Sequence, residues 1–418
     1  MSEAAASHPL TPQRETVTLL ALAAVQFTHI VDFMIMMPLG SQLMREFDIT
    51  PSQFTHLVAS YALAAAISGL AGGFVLDRYD RKRALLVLYA GFGVSTLACG
   101  LAPTHHTLLI ARCAAGAFGG LAGSMVSAMV ADVIPPQRRG RAMSTVMGAF
   151  PVASVLGVPA GLVLAGHFGW HAPFFFLGGC AAVVFALAAF ALPHLRTAVT
   201  HNQPWRQMKE IVTHRTHLRA FALGAVLIMA GACLVPFLAP SMVANMGLTE
   251  SQLPWAYAAG GLCTFFSMPL IGRLSDRIDK LTLLAWISVA AAIVAVVFTR
   301  LGPTSLLMAC VMMALFMVTM SGRFAPAMTM VTNAVDARYR GGFMSVNSAL
   351  QQAASGLASL IAGFFVTRDA AGHLAGFPML GYVSVCFFAL TVLLAAQLRA
   401  IAPHVSAPAG VVEPAVVT

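Results

Sequence analysis

Four side chains able to carry a charge or move a proton sit inside long apolar runs: His29, Asp32, Arg112 and Arg323. A charged group near the centre of a bilayer costs at least ~2.5–3.5 kcal/mol on insertion scales, so each charge needs a partner or a wet cavity. Asp32 stands eight residues before Gly40, at the end of its run, and Arg112 eight residues after Thr104, at the start of its own. At 1.5 Å per helical residue both lie about 12 Å below one boundary, so the opposite charges share one depth. A carboxylate in such a place can exchange a proton, because desolvation favours its neutral form and a nearby guanidinium its charged form. The alternative is a static bridge that fixes helix packing. His29 lies three residues before Asp32, on the same helix face, as a proton relay, a substrate contact or a hydrogen-bonded packing residue. Arg323, three residues before Pro326, is expected to snorkel to the cytoplasmic interface or to make a gate contact, with a substrate site as the alternative. His105 and His106 have no other ligand nearby in sequence, and no metal site is expected.

These groups need a frame that carries them through lipid. The chain has 418 residues, 59% hydrophobic and 9% charged, with a mean hydropathy of +0.82. Soluble domains carry about 25% charged residues, so this is a membrane protein. Twelve stretches are long enough to cross a hydrocarbon core of roughly 30 Å: 17–40, 53–76, 84–102, 106–131, 141–166, 172–193, 218–244, 252–275, 281–300, 304–332, 341–366 and 377–399. Spans this long satisfy their own backbone only as helices, which predicts an all-α polytopic membrane protein.

The net charge of +9 does not point to nucleic acid, because of where the charge lies. With the N-terminus in the cytoplasm, nineteen of the 24 Lys and Arg fall in cytoplasmic segments, and Arg45, Arg300 and Arg368 in outer loops. That imbalance predicts both termini in the cytoplasm and an even number of spans, as in a bacterial-type inner membrane. The first run is too long for a signal peptide and lacks a cleavage site. All seven cysteines lie in predicted spans, with neither zinc nor disulfide spacing. No GxxxxGK[ST] pattern is present, so no cofactor is expected, and the energy is expected to come from a gradient, here of protons, unless the protein is passive. The predicted division is a cytoplasmic tail 1–16, a six-helix bundle 17–194, a basic linker 195–217, a second six-helix bundle 218–399 and a tail 400–418.

The two bundles repeat one charged loop. Gly73, Asp77, Arg78, Asp80 and Arg81 in the first half correspond to Gly272, Asp276, Arg277, Asp279 and Lys280 in the second, 199 residues on. Leu101, Pro103 and Thr104 correspond to Leu301, Pro303 and Thr304, and Arg139, Gly140 and Met143 to Arg340, Gly341 and Met344. Two similar membrane halves can hold a solute site at their interface and open it to either side by rocking. Small-residue pairs Gly69-x3-Gly73, Gly116-x3-Gly120, Gly119-x3-Gly123 and Gly157-x3-Gly161 allow close helix packing, with hinging as the sharper alternative.

Over nearly its whole length the chain resembles the major facilitator superfamily, and more narrowly its twelve-span drug:proton antiporter branch with sugar-efflux-like and multidrug-efflux-like members. The resemblance rests on the loop Gly73-x3-Asp77-Arg78-x2-Arg81-Lys82, on Arg112-x3-Gly116, on Gly157-Val158-Pro159-Ala160-Gly161, and on the Trp170-His171-x-Pro173-Phe174 stretch. The last-but-one is similar to the antiporter signature of the fifth span, with the usual Gly-Pro doublet split by Val158. The resemblance implies two pseudo-symmetric six-helix bundles. It also implies a cytoplasmic latch, with Asp77 docking on the start of span 11 and Arg81 pairing with Asp132. Asp276 would meet the start of span 5 near Gly140. Spans 1, 4, 7 and 10 would line a central cavity, with Phe33, Met36, Met229, Cys233, Phe237, Met313, Phe316 and Met320 as candidate lining residues. Flexible thioethers and aromatic faces suit varied apolar solutes.

Those four spans offer few hydrogen-bonding side chains, which favours amphipathic, apolar or cationic drugs and metabolites over sugars. The expected function is therefore proton-coupled efflux, with Asp32 protonated from outside and deprotonated inside; uptake or sugar efflux by the same fold is the alternative. An enzyme would need a nucleophile, a base and oxyanion donors at one depth, and only His29, Asp32 and Arg112 gather, so no enzyme is expected. A passive channel is a remoter alternative. The expected partners are a small-molecule substrate, protons and the lipid bilayer, with no nucleic acid, for a chain that acts as a monomer.

Overall fold

A computed structural model of the chain describes residues 12–75, 79–135, 138–193, 204–336 and 339–406. The apolar runs are helices throughout: α1 (Pro12–Ile35), α2 (Gly40–Glu46), α3 (Pro51–Val75), α4 (Arg81–Gly100), α5 (His105–Val133), α6 (Arg139–Met147), α7 (Ala149–Val152), α8 (Val158–Phe168) and α9 (Ala172–Ala191) in the first half. After α10 (Pro204–Thr213) come α11 (Arg215–Ala232), α12 (Val235–Ala244), α13 (Leu253–Arg277), α14 (Lys280–Arg300), α15 (Leu306–Gly322), α16 (Phe324–Asn333), α17 (Arg340–Phe365) and α18 (Phe377–Ile401). Three spans are assembled from consecutive pieces: α6 to α8, α11 with α12, and α15 with α16. Twelve membrane-length rods result among the described residues, as expected, although α1 begins at Pro12 and the linker holds a helix, with α11 starting at Arg215 rather than 218.

Among the described residues, ten of these rods are long and apolar enough to cross a membrane by composition alone. The other two, α13 and α17, have 25 and 26 residues, enough to span at 1.5 Å per residue. Their lower hydropathy follows from their place. Both turn a face to the opposite bundle rather than to lipid: α13 meets the span containing α8, and Gly356 and Gly363 of α17 press on Leu63 and Thr55 of α3.

The breaks have local causes. Pro159 has no N–H, so the carbonyl of Val155 loses its helical partner, and Ala153–Gly157 widens into a π turn. Pro236 starts α12 just after the break that follows α11. At the π turn a Cβ on Gly261 of α13 would fall 2.7 Å from the Ser154 carbonyl oxygen, so the two bundles touch there backbone to backbone.

The arrangement of cores gives the state of the molecule. We call the end that holds Arg81–Arg83, Arg273, Arg277, Lys280 and Arg399 the basic end, and the other the far end. Toward the far end a single core joins both halves, with Ile35, Leu43, Phe54 and Leu57 packed together with Phe237, Met242, Ala358 and Ala362. Toward the basic end there are two separate cores, one drawn from residues 21–192 and one from residues 211–405. The far end is closed by Phe54 against Phe237, ring centroids 6.4 Å apart. It is also tied by Gln42 and Arg45, which donate to Glu250 at 2.9 and 2.8 Å. At Gly69, toward the basic end of α3, an added side chain would meet nothing within 4 Å. The expected packing role of Gly69 is therefore corrected: its helix stands clear at the depth where the bundles part.

Candidate functional site

The glycines of the motifs decide which helices can meet around Asp32. A Cβ on Gly116 would lie 2.2 Å from the backbone oxygen of Tyr61, so α5 and α3 touch backbone to backbone. That contact sets the Tyr61 ring 4.4 Å from the Arg112 guanidinium, one turn before Gly116. Cβ atoms on Gly157 and Gly161 would lie 2.3 Å from Val31 and 2.6 Å from Ile35. The fifth span thereby grips α1 on either side of Asp32.

Inside this frame Arg112 Nη1 donates to Asp32 Oδ2 at 2.9 Å and to the Asp32 carbonyl at 3.3 Å. Thr96 on α4 donates its hydroxyl to Asp32 Oδ1 at 3.2 Å. Both charged side chains are fully buried, at 0% exposure. The carboxylate meets partners within the first bundle rather than the open cleft between bundles. Among the described residues Arg112 Nε and Nη2 have no hydrogen-bond partner, and neither does the Tyr61 hydroxyl. Ionised, the pair is neutral; a proton on Asp32 would leave the Arg112 cation buried without a counter-charge. A buried pair of this kind is strongly sensitive to the loss of either charge.

His29 sits one turn below, its ring 6.0 Å from Tyr61 and 5.9 Å from Phe92. Both its ring nitrogens, and Gln26 Oε1 a further turn on, are buried without partners. A Cβ on Gly119 would fall 2.6 Å from His29, and one on Gly123 3.7 Å from Gln26 Oε1. The Gly119-x3-Gly123 pair thus makes room for polar side chains rather than for a second helix. Tyr61, Thr96 and the unpartnered Gln26 were not singled out with Asp32 from the sequence. The first two lie on α3 and α4, and no spacing links them to Asp32.

At the basic end Arg81 Nε meets Asp132 Oδ2 at 3.1 Å, the pairing that the resemblance implied. Asp77 and Arg78 lie outside the described residues, and Gly73 lies within α3. In the second copy Gly272 lies within α13, and Asp276 and Arg277 are exposed at its end. Asp276 makes no hydrogen bond or ion pair with a described residue, and Gly140 has open space around its Cα. The expected contact between them is absent in this state, because the bundles are parted there. The repeated acid with a clear local task is the next one. Asp80 accepts from the Arg83 N–H at 2.9 Å and Asp279 from the Thr282 N–H at 3.0 Å, each as the N-cap of a helix. Burial opposes the Asp279 carboxylate, but bonds from Thr282, Ser406 and Arg399 together hold its pKa below the usual value.

The apolar candidates separate into two groups. Phe33, Met229 and Met320 are half-buried. Met36, Cys233, Phe237, Met313 and Phe316 are instead buried in the core, at 2% exposure or less. Phe237 belongs to the far-end seal, Phe316 faces Phe298 at 5.7 Å, and the Cys233 sulfur lies 3.1 Å from the Ser384 hydroxyl. Membership of a span is not membership of its cavity face. Arg323 also departs from expectation. It does not snorkel; it is 2% exposed and turned inward. Its Nη2 donates to the Leu227 carbonyl at 3.4 Å, and its guanidinium lies 4.4 Å from the Phe388 ring.

The family model described as Major Facilitator Superfamily matches the chain twice, over residues 22–234 and 220–415. An uncharacterized MFS-type transporter, YceJ, of Bacillus subtilis is 25% identical over 368 residues, covering 86% of this chain and 92% of that protein. A chloramphenicol efflux pump of Mycobacterium tuberculosis is 23% identical over 279 residues, covering 67% of each chain. Among solved structures, a bacterial homolog of the human lysosomal transporter Spinster, inward-facing and occupied, superposes with a TM-score of 0.79. That match has 17% identity and covers 95% of this chain and 99% of the other, a likeness of fold.

Proposed function

We propose that this chain, which belongs to the Major Facilitator Superfamily, is a proton-coupled exporter of small amphipathic or apolar compounds working by alternating access. The observation that carries the reading is the fully buried Asp32–Arg112 pair, with unsatisfied donors on Arg112 and unpartnered polar atoms on Tyr61 and His29 beside it. Such a group changes the net charge of its surroundings by one when it takes a proton, which gives a gradient something to act on. The excess of Lys and Arg at the basic end makes that end cytoplasmic, in a bacterial-type inner membrane with both termini inside. The sealed far end then corresponds to a state open to the cytoplasm.

In the proposed cycle a compound enters from the cytoplasm and the two bundles rock about their mid-membrane contacts. The far end opens, and Asp32 takes a proton from outside. Protonation loosens its hold on Arg112 and favours release of the compound. Return to the state described here deprotonates Asp32 toward the cytoplasm and restores the ion pair. His29 and Gln26, each one turn further toward the basic end, lie on the route by which that proton would leave. The cycle needs one copy of the chain, the bilayer, a proton and a cargo. The efflux function of the mycobacterial relative supports the direction and makes chloramphenicol the first compound to test.

The test is proton-driven accumulation of chloramphenicol in inverted vesicles. Asp32→Asn is expected to abolish the part that collapses with an uncoupler. Undiminished coupled transport by that variant would defeat the proposal.

A further inference from the structure

The second bundle buries a cation with no counter-charge among the described residues. Arg323 forms the junction between α15 and α16 and is 2% exposed. Its Nη2 reaches the Leu227 carbonyl at 3.4 Å and the Met320 sulfur at 3.5 Å, while Nε and Nη1 have no partner among the described residues. Its guanidinium also lies against the Phe388 face. The described acids of this half are Glu210, Glu250, Asp276, Asp279, Asp336 and Asp369, and none makes an ion pair with it. The contrast with Arg112, whose carboxylate is 2.9 Å away, is direct. A second buried polar group lies nearby along α11. Asn347, 1% exposed on α17, is packed against Gly224, one turn before Leu227, and neither its amide nitrogen nor its oxygen has a partner.

Leaving two guanidinium nitrogens and an amide nitrogen without acceptors at this depth is costly, and a ligand carrying an anion would accept from both side chains. Access is available on the side of Met320. This half-buried thioether bridges α15 and α11, its sulfur on Arg323 and close to Gly231. Methionine moves aside at little cost. We propose that Arg323 and Asn347 form a binding site for the carboxylate, or another anionic acceptor, of an amphipathic compound whose apolar body lies along Met320 and Met229. The site gives the exporter a preference for amphipathic anions and rests on that reading for its role in transport. Asp32 in one bundle then answers to protons and Arg323 in the other to cargo.

The probes are 1-naphthoate and 1-naphthamide, which share a ring system and differ in the anion. Binding to the purified full-length chain is measured by equilibrium dialysis at pH 7.5, with the thermal midpoint as a check of folding. Naphthoate is expected to bind about ten-fold or more tightly than naphthamide, as charge-assisted hydrogen bonds require. Arg323→Gln is expected to remove the difference without lowering the ligand-free midpoint, because it removes an unpaired buried charge. Asn347→Leu, which leaves the arginine in place, is expected to weaken naphthoate several-fold and naphthamide little. Equal affinities in the parent chain, or a preference that survives Arg323→Gln, would overturn the proposal. That failure would leave proton-driven chloramphenicol export intact, whereas loss of export with the naphthoate preference retained would undo the exporter reading alone.

Discussion

Asp32 and Arg112 are each tolerable only because of the other. Removing one partner of a buried ion pair typically costs 3–5 kcal/mol, since it strands a charge, while replacing both by apolar groups is often close to neutral. Arg112→Met alone is therefore expected to lower the thermal midpoint in detergent sharply. The double variant Asp32→Leu with Arg112→Met should recover most of the loss and still carry no proton-coupled transport. Additive destabilisation in the double variant would mean that the residues act apart. Depth counting from Gly40 and Thr104 put this pair at one level, because a helix has a fixed rise, and the family resemblance put their two helices around one cavity. The remaining wall of the site was not legible. Tyr61 and Thr96 are ordinary residues of apolar helices until Gly116 sets α5 against α3. Arg323 misled for the converse reason: sequence gives its depth, but not that its side chain turns toward Leu227 and Phe388.

At the scale of elements, the same small-residue spacing serves opposite ends. Gly116 lies against the backbone of Tyr61, which cannot move aside as a side chain would. Gly116→Ala must push α5 from α3, and overpacking of this kind typically costs 1–3 kcal/mol. It should also weaken the hold of Tyr61 on Arg112. Gly69→Ala meets nothing within 4 Å in this state and sits inside a helix, where alanine is favoured over glycine by roughly 0.5–1 kcal/mol. Its midpoint should be unchanged or raised. Comparing the two melting curves checks the assignment; equal losses would show that α3 is gripped along its whole length. The twelve rods were legible because each is an apolar run bounded by charge or proline. The π turn and the fit of Gly157 and Gly161 on α1 were not, since a GxxxG spacing names a close contact without naming its partner. The N-caps Asp80 and Asp279 were visible as acids of the repeated loop, yet their capping role was hidden behind the more conspicuous Asp77 and Asp276.

The closed far end is a property of the whole molecule, and sequence symmetry hides it. Two bundles with matching loops can close at either end, and only the merged core on one side and the divided cores on the other fix the state. Two kinds of contact hold that end, and their magnitudes differ. The Arg45–Glu250 bridge is two-thirds exposed on the arginine side, at 66%. Exposed bridges are worth about 0–1 kcal/mol, so Glu250→Gln should shift the balance of open and closed states by no more than about five-fold. Phe237 is fully buried against Phe54, and truncating such a ring typically costs 3–5 kcal/mol, part of it borne by the closed state alone. The apolar seal therefore outweighs the ion pair. Spin labels in place of His106 and Ser305, in a background with the native cysteines replaced, report the far-end separation of the bundles. Phe237→Ala should populate a longer distance far more than Glu250→Gln, and raised salt should mimic only the second variant. A larger opening from Glu250→Gln would mean that the far end is latched by charge, and the transport cycle would then respond to ionic strength rather than to the packing of its core.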